Sequence, residues 1–158
     1  MRRTKDTMSE QHAPKKYQPN RAMKAAHAVM RALARAGLVP RTVVLTVRGR
    51  KSGEPRSIPV TPIEHSGAVW LVSPYGTVAW VHNLRAAGDL TLSRGRTTRR
   101  FTAREATPAE AGPVLKRYVA VAPIVLPYFT AGADDPTETF SAEADRHPVF
   151  ALTAIDAR

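Results

Sequence analysis

Two β-branched runs, Val43–Val47 and Ile58–Ile63, are joined by Arg48-Gly49-Arg50-Lys51-Ser52-Gly53-Glu54-Pro55-Arg56. Runs of this kind around a Gly, Ser and Pro connection predict a β-hairpin, and a hairpin commits the chain to antiparallel pairing. The loop carries Arg48, Arg50, Lys51 and Arg56, and its glycines let backbone approach a ligand closely. A charge run usually faces water, so a solvated loop and an anion site are both open at this point. The return run, Ser57–Ile63, contains Pro59 and Pro62, which cannot donate to a ladder. It is therefore expected at a sheet edge or at a bulge, with backbone groups left free.

The rest of the chain supplies layers for that hairpin. Residues 1–19 mix Lys, Gln, Pro and His with little apolar content and are expected to form a disordered basic tail. A helix is expected over residues 20–37, capped by Asn20 and ended by Gly37, with Met23, Met30 and Leu33 on one stripe. Its Arg21, Lys24, Arg31 and Arg35 stay polar; covering a sheet is the plainer reading, and lying on anionic lipid is the other. Thr42–Val47 reads as a buried strand, and Ala68–Val72 as another that hands over through Ser73-Pro74-Tyr75-Gly76 to a helix over 77–87 closed by Gly88. Leu90–Ser93 and Arg99–Arg104 flank Gly95 as a second hairpin. Thr107-Pro108-Ala109-Glu110 is a capping box with proline at the first helical position. Residues 121–129, broken by Pro123 and Pro127, suit a pocket wall; 132–145 reads as an acidic loop; 148–155 closes the chain as a strand. Six strands with few helices and no βαβ alternation imply a mainly β, α+β fold built on an antiparallel barrel over residues 38–158.

The chain of 158 residues has 24 Lys and Arg against 13 Asp and Glu, a net charge of +11, which calls for a polyanionic partner: nucleic acid, anionic membrane or a multiply charged small molecule. There is no cysteine, which excludes disulfides and thiolate chemistry and suits a reducing cytoplasm. The five histidines, His12, His27, His65, His82 and His147, lack paired spacing, and no metal site is expected. Neither a Gly-x-Ser-x-Gly elbow nor a GxGxxG is present, and Gly49-Arg50-Lys51-Ser52 lacks the glycine directly before lysine that a P-loop needs. What remains is a cationic loop, a free strand edge, Ser73 at a strand end, and Trp80, His82 and Asn83 within one helical turn, able to brace a flat ring. For Trp80 an ordinary core role is equally open.

Those residues also carry a resemblance. Thr46–Pro59, Trp80-Val81-His82-Asn83-Leu84-Arg85-Ala86, the Leu90–Ser93 strand with Ala103-Arg104-Glu105, and Arg146–Leu152 resemble the deazaflavin-dependent oxidoreductases of the nitroreductase type. These use coenzyme F-420 on a split β-barrel related to FMN-binding barrels, and the resemblance spans about residues 38 to 155. It implies that Arg50, Lys51, Ser52 and Arg56 hold the cofactor's phosphate and oligoglutamate tail, that Pro59, Val60 and Thr61 run beside the ring, and that Ser73, Pro74, Trp80 and Asn83 line its other side. A phosphate plus several carboxylates needs several cations, in keeping with the charge. The implied reaction is hydride transfer to a small-molecule acceptor such as a quinone, enone or nitro compound. The glycine-rich insertion and tyrosine-rich acceptor wall seen in many members are absent here, replaced by Pro74–Ala79 and Ala120–Phe129. Acceptor identity is therefore left open.

On the acceptor side, Ser73 is expected to donate a hydrogen bond, and Tyr75 or Tyr128 a proton, as charge develops. Two readings compete with F-420. An FMN-dependent split barrel would need only one phosphate neutralised. A non-catalytic basic module would bind anionic lipid or nucleic acid, the latter disfavoured because no aromatic is interleaved with the loop cations. A cytoplasmic protein, with peripheral contact at the inner membrane face through the first helix and a homodimer as one open arrangement, completes the expectation.

Overall fold

The computed structural model describes residues 14–18 and 20–155. The disordered tail expected for 1–19 thus lies outside the described residues except for 14–18, which run irregularly and pack on the body: Lys15 N donates to Pro127 O at 3.0 Å.

Twelve elements follow. Helix α1 (Arg21–Arg35) starts where expected, with the Asn20 side chain accepting from Met23 N at 2.8 Å, and lies against the first hairpin with Ala34 buried. Strands β1 (Val43–Arg48) and β2 (Pro55–Val60) form that hairpin, Val47 opposite Arg56 and Val43 opposite Val60. Then come β3 (Ile63–His65), β4 (Ala68–Val72), α2 (Ala79–Ala87), β5 (Asp89–Arg94), β6 (Thr97–Glu105), α3 (Pro108–Val121), a 3-10 helix (Pro123–Tyr128), α4 (Thr137–Ser141) and β7 (Val149–Ala154). The strands form one sheet in the order β2-β1-β5-β6-β7-β4-β3, every neighbouring pair antiparallel. Curled on itself, it is the split half-barrel expected, with helices flanking it.

Seven strands replace the six expected. The run 57–63 breaks between Val60 and Ile63, so that β2 and β3 become the two opposite edges of the sheet. Pro62 at the break can neither donate nor continue a ladder. One proline-bearing run thus supplies both edges.

Strand alternation divides the apolar residues between two cores. On β4, Trp70 and Val72 face a cluster with Val114, Leu115 and Phe140 under α3 and α4, while Leu71 between them faces a second cluster with Leu45, Trp80, Phe101 and Phe150. The capping box forms at α3: Thr107 N donates to Glu110 Oε2 at 2.9 Å and Glu110 N to Thr107 Oγ1 at 3.3 Å. Arg104 pairs with the same carboxylate and, with the Thr107 amide, holds the Glu110 pKa down to about 2.

The stretch 132–145, expected as a loop, contains α4. Gly112 of α3 lets α4 approach, because a Cβ there would meet Ser141 Oγ at 2.0 Å. Glu143 is buried, and its two carboxylate oxygens accept from Thr130 N and Ala131 N, each at 2.7 Å. An acidic residue that looks solvated in sequence is thus an internal anchor. Among the described residues no helix is long and apolar enough to cross a membrane.

Candidate functional site

The loop between β1 and β2 is closed by its own backbone. Gly49 N donates to Glu54 O at 2.8 Å and Gly53 N to Gly49 O at 2.9 Å, with Gly53 at φ +73°, a conformation that costs glycine little. A Cβ at Gly49 would stand 3.1 Å from both Glu54 O and Ser52 Oγ, so the tight closure depends on glycine there. Helix α2 then fixes the loop from below. Arg50 N and Arg50 Nη1 both donate to Asn83 Oδ1, at 3.1 and 2.8 Å, and Asn83 is buried.

Between this loop, α1 and α2 lies a cavity of about 690 Å³. It gathers Arg50, Lys51, Ser52, Arg56, Trp80 and Asn83 from the expected cofactor residues, and adds Arg31 and Arg35 from α1. Five cations line it and no carboxylate does. Among the described residues none of the ion pairs uses any of the five. Arg31 is oriented by a 3.1 Å hydrogen bond from Nη1 to Ser57 O. Trp80 serves two surfaces: it packs in the barrel core, 5.9 Å from the Phe150 ring, and one edge reaches the cavity. The two roles left open for it are therefore compatible.

The remaining expected residues stand elsewhere. Pro59 and Val60 lie on β2 opposite Val44 and Val43, Thr61 follows at the break, and Ser73 and Pro74 are buried at the end of β4; none of them lines this cavity. Ser73 Oγ donates to Gly76 O within the β4–α2 loop, so its one proton is committed there. Ser73 N donates to Pro148 O at 2.8 Å, and His147 Nδ1 donates to Pro74 O at 2.8 Å, which tie the loop to β7. His147 is buried, its ring 3.9 Å from and nearly parallel to that of Phe129; desolvation pushes its pKa below the usual imidazole value. His82, by contrast, is exposed and does not line the cavity.

That loop presents Tyr75. Its ring meets Tyr128 edge-on, at 4.8 Å and 80°, and Tyr17 of the N-terminal segment stacks on it at 4.5 Å and 16°. Burial first, and the Tyr128 and Tyr17 phenols next, raise the pKa of Tyr75, so it holds its proton through the neutral range. Sequence reasoning brought Tyr75 and Tyr128 together but missed Tyr17, which sits in a stretch with no periodic pattern. It also missed Arg31 and Arg35 as site residues; their i, i+4 spacing put them on one helix face, but only the docking of α1 shows what that face meets.

A second cavity, of about 670 Å³, opens among Val43, Leu92, Phe101 and Val121, rimmed by Arg41, Arg94, Arg99 and Arg117. It contains none of the expected cofactor residues. The first cavity fits a cofactor with a multiply anionic tail, because five cations converge with no carboxylate to neutralise them.

Comparison with known proteins agrees. The family described as F420H(2)-dependent quinone reductase matches residues 19–131. Among solved structures, one described as an F420-H2 dependent reductase, FDR-A, is 25% identical at a TM-score of 0.50, covering 72% of this chain and 95% of its own. A second, a domain-swapped dimer, is 23% identical at a TM-score of 0.56, covering 85% of this chain and 100% of its own. A pyridoxamine 5′-phosphate oxidase-like protein from Listeria innocua shares the fold at 11% identity and a TM-score of 0.52, covering 80% and 93%. With the profile covering well over half of its length, the chain belongs to the F420H(2)-dependent quinone reductase family and is a reductase that works with coenzyme F-420.

Proposed function

We propose that the protein reduces a flat, apolar acceptor of the quinone class with reduced F-420, the barrel of residues 38–158 holding the cofactor and helix 20–37 adding a basic wall. The observation that carries this reading is the cavity in which Arg31, Arg35, Arg50, Lys51 and Arg56 meet beside Trp80 and Asn83. In it the tail is held by Arg50, Lys51, Ser52 and Arg56, each charge-assisted hydrogen bond contributing on the order of 1.5–3 kcal/mol. Trp80 and Asn83 brace the part nearest the barrel, and Pro59, Val60, Thr61 and Pro74, which stand outside this cavity, border the ring where the cofactor extends past the tail site. When bound, the cofactor supplies hydride, two electrons and one proton, at carbon C5 of its deazaflavin ring.

The chain's own part is orientation, exclusion of water and charge control. A quinone that accepts hydride becomes a hydroquinone anion, and a donor must meet that oxygen. Tyr75 and Tyr128 present phenol groups whose aromatic bodies also suit a planar acceptor. Because the Tyr75 phenol is held above its ordinary pKa, its role is a hydrogen bond to the developing oxyanion, with the final proton drawn from solvent. Ser73 acts one step back, through its bond to Gly76 O, by holding the turn that aims Tyr75.

Val29, Met30 and Leu33 of α1 and Leu38 just after it are exposed, and α1 also carries the exposed cations Arg21 and Lys24, which supports peripheral contact of α1 with the cytoplasmic face of an anionic membrane, in whose apolar interior quinones dissolve. A homodimer belongs to the same proposal and is checked by sedimentation. The deciding experiment titrates the protein with F-420, FMN and a mixed-sequence oligonucleotide, then mixes the loaded protein with a quinone, an enone and a nitroarene while following deazaflavin absorbance. Tight F-420 binding and fastest oxidation by the quinone are expected. Preference for FMN or the oligonucleotide, or no oxidation by any acceptor, overturns the reading.

A further inference from the structure

We infer that residues 14–18 are a strap over the acceptor seat and that Tyr17 closes a planar acceptor against Tyr75, making the N-terminal segment part of the acceptor-binding site. The inference rests on the acceptor reading above and adds a residue and a ligand class to it.

All four tyrosines of the chain are Tyr17, Tyr75, Tyr118 and Tyr128. Three of their rings touch in series: Tyr17 parallel to Tyr75, and Tyr75 edge-on to Tyr128. The fourth, Tyr118, is buried in α3. The strap is otherwise polar, Pro14-Lys15-Lys16-Tyr17-Gln18, and its one aromatic is the residue turned inward: Tyr17 is half-buried while Lys15, Lys16 and Gln18 are exposed. It is pinned by Lys15 N to Pro127 O, next to Tyr128, and its far side leads into Asn20, the cap of α1. A segment hydrogen-bonded to the body at Lys15 and stacked through Tyr17 on an aromatic face is a lid in form.

Energetics choose between two ways such a lid can work. If Tyr17 merely filled the acceptor seat, an incoming ring would break one stack and form one. If the acceptor enters between Tyr17 and Tyr75, one stack is broken and two are formed. The second arrangement requires the strap to rise by only one ring thickness, about 3.5 Å, the contact distance of carbon atoms. It also leaves Tyr128 edge-on at the rim, where its phenol meets an acceptor oxygen.

The test uses the full chain. In protein labelled with 3-fluorotyrosine, four fluorine resonances are expected, that of position 17 assigned by its loss in Tyr17→Phe. Menadione, added without any cofactor, is expected to shift the resonances of Tyr17 and Tyr75 and to leave that of Tyr118 nearly still. In steady state, Tyr17→Ser is expected to raise the KM for menadione about tenfold, the loss of one aromatic stack with its buried area, with F-420 affinity within about twofold. Tyr17→Phe should restore the parent KM, because the ring and not the hydroxyl makes the contact. A lower KM in Tyr17→Ser overturns the sandwich in favour of simple occupancy of the seat. Unmoved resonances at saturating menadione, or an unchanged KM, overturn the strap altogether. If the resonances move while reduced F-420 is never oxidised, the acceptor chemistry fails and the strap stands.

Discussion

Arg50 and Asn83, 33 residues apart in sequence, are joined twice at one atom: the Arg50 amide and its guanidinium both donate to Asn83 Oδ1, at 3.1 and 2.8 Å. The basic loop is thereby attached to α2, and Arg50 is set by the helix that also carries Trp80. Asn83→Ala is expected to weaken F-420 binding by about tenfold or more, since the loop loses two hydrogen bonds of roughly 1 kcal/mol or more each. Calorimetric titration checks it, and unchanged affinity rejects this coupling.

Lys51 and Arg56 make no ion pair among those described, so their charge is free for a ligand. Lys51→Ala and Arg56→Ala should each lower F-420 affinity by about tenfold or more, at 1.5–3 kcal/mol per charge-assisted bond. Arg31→Ala and Arg35→Ala should lower it too, and FMN binding should respond less in all four. Trp80 is better probed by Phe than by Ala, because truncating so buried a ring costs about 3–5 kcal/mol of stability and confuses unfolding with lost binding.

Ser73 separates positioning from direct contact. Ser73→Ala removes the bond to Gly76 O, at a cost of about 0.5–1.5 kcal/mol in unfolding free energy. Single-turnover oxidation should slow and the acceptor KM rise while F-420 affinity holds. Tyr75→Phe and Tyr128→Phe should slow turnover without the loss of stability. If all three variants oxidise the reduced cofactor at the parent rate, the acceptor-side roles are wrong.

His147 sets a pH dependence of stability. Burial against Phe129 lowers its pKa in the folded chain from the ordinary 6.5, so the unfolded chain takes up a proton first on acidification. Its contribution is therefore complete above about pH 6.5 and is lost as pH falls from there through the folded value. Denaturant titrations at pH 8, 6.5 and 5 should show this decline, and it should be weaker in His147→Gln. An identical slope in the variant rejects the assignment.

Gly112 tests the α3–α4 contact. A methyl group there meets Ser141 Oγ at 2.0 Å and Thr137 O at 3.0 Å, so Gly112→Ala should cost about 1–3 kcal/mol despite alanine's better helix propensity. Ser141→Gly in the same chain should recover part of the loss, which thermal unfolding would report.

The hairpins, the capping box, the Asn20 cap and the glycine-closed basic loop are local features, fixed by residues within a few positions of one another, and the sequence alone settles them. Motif content likewise carried the family and its cofactor. Other features depend on what the chain meets in space. The run 57–63 reads as one strand by composition, yet its two ends find different partners, β1 and β4, on opposite edges of the sheet. Arg31 and Arg35 read as a solvated helix face until α1 docks on the hairpin, and Glu143 reads as loop charge until two amides turn toward it. Tyr17, in a stretch without pattern, acquires meaning only from Tyr75, across the whole of α1 and four strands. Local pattern encodes what a backbone can form by itself; convergence of distant side chains is decided by packing, because only the folded core fixes which surfaces face each other.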